Sequence, residues 1–153
     1  MSATPAQQLS EALRSTRRER VAMVAFMTAG FPSKAAFAAD LAALEAEADV
    51  VEIGVPFTDP MADGATIQHA NQIALEHGIS VQGCFDIVRE AREKGLKAPI
   101  VLMGYYNPLY SRGEARAVAE AKAAGADGFI VVDLPAEESG NFLAACRAND
   151  MSL

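Results

Sequence analysis

Short apolar runs alternate with alanine-rich stretches along the whole chain, and this alternation leaves few folds open to it. The apolar runs predict four strands, over residues 21–30, 49–54, 99–105 and 128–134. The stretches between them repeat apolar residues at helical spacing. Strands that are joined by covering helices pair in parallel, in a sheet with both faces buried. The sequence therefore predicts an α/β fold, either doubly wound or rolled into a (β/α)8 barrel.

Residue types that commonly mark helix ends divide the rest of the chain into six predicted helices. Thr4 and Pro5 open the first helix, Ser33 caps the second, and Pro135 opens the last. The helices are expected, in order, within residues 1–20, after Ser33, at about 66–77, 81–94 and 113–124, and after Pro135. Glycines that favour a left-handed cap are expected to end three of them, at Gly78, Gly95 and Gly125.

Two segments share an Ala-x-Ala-Asp lead-in to a strand, AEADVVEIG at 46–54 and AGADGFIVVD at 124–133. They lie 78 residues apart, which is the length of two strand–helix units and suggests a repeated architecture. In the first segment Glu52 lies inside an apolar strand, on the same face as Val50 and Gly54. A doubly wound sheet would rarely bury such a glutamate, so the pattern favours the barrel.

Chain length limits how much of a barrel this sequence can form. A complete barrel needs about 250 residues, whereas this chain has 153. We therefore expect an incomplete (β/α)8 barrel, the N-terminal part of one domain over residues 1–153. A leading helix occupies 1–20 and four strand–helix units occupy 21–153.

Composition excludes several classes of function. Hydrophobic residues make up 51% of the chain and the formal net charge is −7, without a basic cluster longer than Arg17-Arg18, so nucleic acid is not an expected partner. The longest apolar stretch is too short and too interrupted to span a membrane. The N-terminal residues lack the apolar core of a secretory signal, and we expect a cytoplasmic protein. Cys84 and Cys146 lack metal-ligand spacing and are expected to be inert buried thiols, with no metal site.

Three acidic residues follow one another in the segment VEIGVPFTDPMADGATIQ, at 51–68: Glu52, Asp59 and Asp63. In a barrel they would lie at the C-terminal end of the second strand, where barrel active sites are built. Burial should raise the pKa of Glu52, while Asp63 on a turn should stay ionised, so the two could divide acid and base roles. The alternatives are a structural Glu52 paired with a Lys or Arg, and turn aspartates that satisfy their own backbone.

This segment closely resembles the signature of the tryptophan synthase alpha chain family. The resemblance continues, in the same order, through AFMTAGFP (25–32), PIVLMGYYNPLY (99–110) and GADGFIVVDLPAEES (125–139). It implies a (β/α)8 barrel and the retro-aldol cleavage of indole-3-glycerol phosphate to indole and glyceraldehyde 3-phosphate. The family's two catalytic carboxylates match Glu52 and Asp63. The resemblance implies no cofactor in this chain and pyridoxal phosphate in a partner beta chain.

The same resemblance implies a substrate pocket and a partner surface. The residues that match the indole pocket are apolar strand residues whose alternative role is core packing: Phe26, Met103, Tyr105, Ile130 and Val132. The partner-facing residues Pro56, Asp59 and Asn107 would contact a tryptophan synthase beta chain in an alpha2-beta2 heterotetramer. Asn107 and Pro108 equally fit an ordinary turn.

The chain departs from the family pattern at Thr58, Met61 and Ala65, and none of these changes removes a carboxylate. The family's flexible catalytic loop and phosphate-binding amides match positions beyond residue 153. We therefore expect the chain alone to bind phosphate poorly and to turn over little or nothing. Three alternatives remain. The chain could be a non-catalytic subunit that regulates a beta chain or a stand-alone indole-3-glycerol-phosphate lyase. More remotely, it could be a barrel that acts on another sugar phosphate.

Overall fold

The computed structural model describes residues 3–14 and 21–153. Within these ranges the chain forms seven helices and four strands. Their order is α1 (Pro5–Leu13), β1 (Val24–Thr28), α2 (Lys34–Glu45), β2 (Val50–Gly54), α3 (Ala65–Glu76), α4 (Val81–Glu93), β3 (Ile100–Gly104), α5 (Tyr106–Arg112), α6 (Glu114–Ala124), β4 (Gly128–Val131) and α7 (Gly140–Ala148).

The four strands form one parallel sheet in the order β1-β2-β3-β4. Each strand therefore lies beside the one that precedes it in the chain, without the reversal of order that marks a doubly wound sheet. A further parallel segment begins at Ser152, which bridges to Gly128 and accepts a hydrogen bond from the Phe129 N–H at 2.9 Å. The described strands thus follow the order of consecutive barrel units, as the sequence predicted.

The two faces of the sheet bury different sets of residues. Val51 and Ile53 point from β2 into the main core, against the covering helices. Val50 belongs to a separate small cluster on the opposite face, together with Val101 and with Leu9 of α1. Helix α1 therefore covers the N-terminal ends of the strands on the inner face. The predicted alternation of β2 is confirmed, and Glu52 lies on the inner face above Val50.

The two Ala-x-Ala-Asp segments perform the same structural task. The Asp49 carboxylate, just before β2, accepts a hydrogen bond from the Met23 N–H at 2.8 Å. The Asp127 carboxylate, just before β4, accepts one from the Ile100 N–H at 2.8 Å. In both cases an aspartate at the start of one strand binds the start of the preceding strand. The sequence repeat therefore corresponds to a repeated hydrogen bond, from a backbone N–H at the start of one strand to an aspartate at the start of the next.

Helix ends agree with several predicted caps. The Ser33 hydroxyl accepts the Ala36 N–H, and Thr4 forms a capping box with Gln7. The glycines expected to end helices all have positive φ, at Gly78, Gly95 and Gly125.

Cys84 and Cys146 are buried and free. The leading helix ends at Leu13, and residues 15–20 of its predicted range lie outside the described residues.

The structure excludes one alternative for the segment that follows β3 and corrects one prediction for the segment that follows β4. Asn107 and Pro108 lie in the first turn of helix α5 and do not form a simple turn. Pro108 fits there because N–H groups in the first turn have no partner within the helix. Pro135 does not open a helix either. Residues 135–139 form turns in which Pro135 and Ala136 carbonyls accept N–H groups, and α7 begins only at Gly140.

Candidate active site

Glu52 lies on the inner face of β2, beside Phe26 of β1 and Val101 of β3 in the strand register. Its side chain is half-buried, and burial raises the pKa of the carboxyl group above its ordinary value. Among the described residues no Lys or Arg forms an ion pair with it. The alternative of a glutamate neutralised by a basic partner therefore finds no support in this part of the chain.

Asp63 lies in the loop between β2 and α3, which begins at the C-terminal end of the strand that carries Glu52. Its backbone N–H donates to the Pro60 carbonyl at 3.0 Å, which closes a turn. Its carboxylate accepts a hydrogen bond from the side-chain amide of Asn71 at 3.2 Å. The carboxylate is thus bound by a side chain eight residues further on, in contrast to the alternative in which it satisfies its own backbone.

Tyr105 connects this loop to the end of β3. Its buried side chain stacks on Phe57, with ring centroids 5.1 Å apart, and its hydroxyl accepts the Ala62 N–H at 2.9 Å. Burial raises the pKa of Tyr105, and the negative charge of Asp63 raises it further. The sequence assigned Tyr105 only an apolar lining role, and the structure adds a hydrogen bond to the loop.

The residues expected to line an aromatic pocket share one face of the sheet. Phe26 lies beside Glu52, and Met103 and Ile130 are register neighbours. Tyr105 and Val132 lie two positions beyond these, and Ile130 and Val132 are 42% and 40% exposed. Phe26 lines a cavity of about 290 Å³ and Ile130 another of about 400 Å³, with no lining residue in common. The residues expected to line the pocket therefore share one apolar face, and two of them, Phe26 and Ile130, line separate cavities.

A close packing contact fixes Phe26 on this face. A Cβ atom at Gly54 would lie 2.7 Å from the Phe26 ring. The absence of a side chain at Gly54 therefore lets the ring lie across the end of β2.

The residues expected to face a partner differ in their exposure. Asp59 is exposed, and its carboxylate accepts the Thr58 hydroxyl at 2.6 Å. Asn107 is exposed on α5, whose first N–H, at Tyr106, donates to the Asp133 carboxylate at 2.7 Å. Pro56 is buried. Asp59 and Asn107 are thus the accessible members of this set.

Two residues that were not predicted from the sequence contact this site: Asn71 binds the Asp63 carboxylate, and Phe57 stacks on Tyr105. Asn71 is 4% exposed and lies beside buried alanines on α3. A single amide on an otherwise apolar helix face is a signal that the sequence contained, because a buried amide requires a hydrogen-bond partner. The role of Phe57 depends on where the loop lies, so the sequence carried no comparable signal for it.

The arrangement supports acid–base chemistry on an apolar, flat ligand. A half-buried carboxyl group with a raised pKa holds its proton to higher pH than a free carboxyl group does, and can give it up and take it back. A second, hydrogen-bonded carboxylate lies in the adjacent loop. No cluster of metal-ligating side chains occurs within residues 3–14 and 21–153. No helix in the same ranges is long and apolar enough to cross a membrane.

Comparisons with known proteins agree on one family. The family model described as tryptophan synthase alpha chain matches residues 13–153. The tryptophan synthase alpha chain of Chloroflexus aggregans is 46% identical over 135 residues, which cover 88% of this chain and 51% of the relative. The tryptophan synthase of Saccharomyces cerevisiae is 42% identical over 151 residues, which cover 95% of this chain and 21% of the relative.

Solved structures show the same relationship. The crystal structure of tryptophan synthase subunit alpha from Legionella pneumophila matches with a TM-score of 0.88 and 35% identity, covering 95% of this chain and 56% of that one. A tryptophan synthase complex from Pyrococcus furiosus contains a chain that matches with a TM-score of 0.81 and 42% identity, over 86% and 55%. The chain thus spans about half the length of the alpha chains that it matches, and the predicted incomplete (β/α)8 barrel is confirmed.

Proposed function

The chain belongs to the tryptophan synthase alpha chain family, and from this premise we propose that it carries the catalytic carboxylates of an alpha subunit that cleaves indole-3-glycerol phosphate. The products are indole and glyceraldehyde 3-phosphate. The observation that carries the proposal is Glu52, a half-buried carboxyl group with a raised pKa on the inner face of the sheet. It lies in the strand that leads into the Asp63 loop.

Glu52 moves the protons of the proposed reaction. The protonated carboxyl group gives its proton to the ring carbon that bears the glycerol chain, which places a positive charge on the indole ring. The resulting carboxylate then removes the proton of the adjacent glycerol hydroxyl. As the hydroxyl carbon becomes an aldehyde, the electron pair of the breaking carbon–carbon bond neutralises the ring. Glu52 ends in its starting protonation state, as a catalyst must.

Asp63 accepts a hydrogen bond from the indole N–H and stabilises the positive charge that develops on the ring. The apolar face provides a surface for the flat ring, and its members are Phe26, Met103, Tyr105, Ile130 and Val132. Their common face in the strand register supports this role. The position of Phe26 and Ile130 in two separate cavities supports the further proposal that the chain alone turns over little.

The proposed partner is a tryptophan synthase beta chain, in an alpha2-beta2 heterotetramer. One of the similar structures, from Pyrococcus furiosus, concerns the mutual activation of such a complex. The exposed residues Asp59 and Asn107 support a partner surface beside the C-terminal ends of the strands. Pyridoxal phosphate would belong to the beta chain, and this chain would need no cofactor. The proposal includes a cytoplasmic location.

Indole release from indole-3-glycerol phosphate tests the proposal, with and without a beta chain. In the presence of the beta chain we expect Glu52→Gln to reduce release at least about 100-fold, since the amide cannot transfer a proton. Glu47→Gln is the matched control, because Glu47 is exposed just before β2. Its rate should equal that of the wild type.

Three results would contradict the proposal. Near-normal release by Glu52→Gln would remove Glu52 from the mechanism. No release from a folded wild type with the beta chain, combined with activation of that beta chain, would favour a non-catalytic binding subunit. Release without any association in size-exclusion chromatography would favour a stand-alone lyase.

A further inference from the structure

We propose that Asn71 is a positioning residue, which holds the Asp63 carboxylate in the orientation needed at the C-terminal end of the sheet. The inference deepens the proposed function and rests on it for the role of Asp63. The contact itself can be tested independently of any activity.

The position of Asn71 is unusual for an amide. Its side chain lies on α3 at 4% exposure, beside Ala70 and Ala74, which are also buried. Burying an amide without a hydrogen bond is unfavourable. The Nδ2 atom of Asn71 donates to Oδ2 of Asp63 at 3.2 Å. The contact therefore places the amide where it is both satisfied and directed at the carboxylate.

The loop around Asp63 is fixed from two further directions. From β3, the Tyr105 hydroxyl accepts the N–H of Ala62, the residue before Asp63. From α3, the Gln68 side chain donates to the Asp63 carbonyl at 2.9 Å. These two contacts hold the loop backbone. Asn71 binds the carboxylate, with which the Tyr105 hydroxyl also interacts. Together they define where the backbone lies and how the side chain is turned.

An amide is chemically suited to this task. It occupies one carboxylate oxygen with an N–H donor and leaves the negative charge in place. A carboxylate bound in this way can still accept the N–H of a heteroaromatic ring, since its two oxygens together offer about four lone-pair sites. A lysine or arginine at the same position would neutralise the charge that stabilises a cationic ring. The geometry thus fits a carboxylate that must stay both charged and oriented.

The contact can be measured by NMR on the chain as it exists. We expect one side-chain amide proton of Asn71 to lie downfield and to exchange slowly with water. In Asp63→Ala that proton should move upfield, and its exchange rate should rise about 10-fold or more. Asp59→Ala removes a neighbouring exposed carboxylate and should leave the signal unchanged. An Asn71 signal that ignores Asp63→Ala would overturn the inference.

Kinetics test the consequence for turnover, under conditions in which the wild type with a beta chain releases indole. Asn71→Leu keeps the side-chain size and removes the donor. Loss of a hydrogen bond to a charged group should lower kcat about 10-fold to 100-fold, with the KM for indole-3-glycerol phosphate changed less than about 3-fold. Gln72→Leu, on the exposed face of the same helix, should keep the wild-type kcat.

A second variant and the NMR result distinguish misfolding of Asn71→Leu, failure of the inference and failure of the proposed function. If Asn71→Leu does not fold by circular dichroism, Asn71→Asp, which retains size and polarity, takes its place and should show the same loss at neutral pH. A folded Asn71 variant with wild-type kcat would overturn the inference. If the wild type releases no indole while the NMR signal responds to Asp63→Ala, the proposed function fails and the positioning of Asp63 is supported.

Discussion

Glu52 is the residue whose ionisation is most directly linked to folding in the proposed site. Burial on the inner face raises its pKa above the value in the unfolded chain. The folded state therefore binds more protons than the unfolded state at pH values between the two pKa values. The contribution of Glu52 to stability must fall as pH rises from the unfolded pKa, about 4.3, through the folded pKa, and stay level above it.

Glu52→Gln should remove this dependence. We expect the variant to gain stability relative to the wild type as pH rises from 3.5 to 7, because the glutamine has no charged form to bury. Urea unfolding of both proteins across this range measures the difference in unfolding free energy. The reverse trend, with the wild type gaining on the variant at higher pH, would mean that a basic partner stabilises the carboxylate.

Single residues were predictable where one chemical type stood out from its surroundings. Glu52 was conspicuous as a carboxylate inside an apolar strand, and the predicted direction of its pKa shift is confirmed. Asn71 gave a weaker signal of the same kind and was missed. The Tyr105 hydroxyl could not have been predicted to bind the Ala62 N–H, because the two residues are 43 positions apart.

At the level of elements, Arg92 joins the end of α4 to the starts of β3 and β4. Its guanidinium donates to the carbonyls of Gly125, Leu96 and Ala98 at 2.8–3.0 Å, and to the Asp127 carboxylate at 2.7 Å. Asp127 is 4% exposed and also accepts the first N–H of β3. One side chain thus satisfies four acceptors where three elements meet.

Arg92→Met should strongly destabilise the fold. Removing one partner of a buried charge pair costs about 3–5 kcal/mol, since the other charge is left without compensation. Arg89→Met on the same helix is the control, because the Arg89–Asp86 pair is about half exposed. Exposed pairs contribute less than about 1 kcal/mol. Equal losses in urea unfolding for the two variants would show that the Arg92 contacts contribute little.

The elements themselves were largely predictable, and the failure to predict helix α5 has a physical cause. Caps at Ser33 and Thr4 were found because they depend on local sequence. Helix α5 was missed because its first N–H is bound by Asp133, which comes from a later loop. When the capping residue belongs to another segment, the sequence around the helix start contains no residue that predicts the cap.

On the scale of the whole molecule, α5 links the proposed partner surface to the sheet. Asn107 is exposed on its first turn, while Tyr106 donates its hydroxyl to Glu114 at 2.7 Å and packs edge-on against Phe142. Its backbone N–H donates to Asp133. The orientation of Asn107 therefore depends on contacts with α6, α7 and the loop after β4.

Asp133→Ala should weaken binding to a beta chain. A helix cap is worth about 1 kcal/mol, which corresponds to about a 5-fold rise in Kd if the start of α5 must be ordered on binding. Isothermal titration of the wild type and the variant with a beta chain measures this change. Asp86→Ala, on α4, is the control and should bind as the wild type does. An unchanged Kd for Asp133→Ala would place the binding surface away from α5.

The sequence by itself determined the parallel α/β architecture, the alternation of β2 and the caps with local partners, and it singled out Glu52 and Asp63 as candidate catalytic residues. These features depend on hydrophobic periodicity and on residue types that stand out among their neighbours in the chain. Only the tertiary structure decided that Asn71 binds Asp63, that Tyr105 holds the loop, and that Asp133 caps α5. Each of these is a hydrogen bond between groups whose separation is set by the packing of whole elements. The local sequence around either group does not determine that distance, so the bond could not be predicted from it.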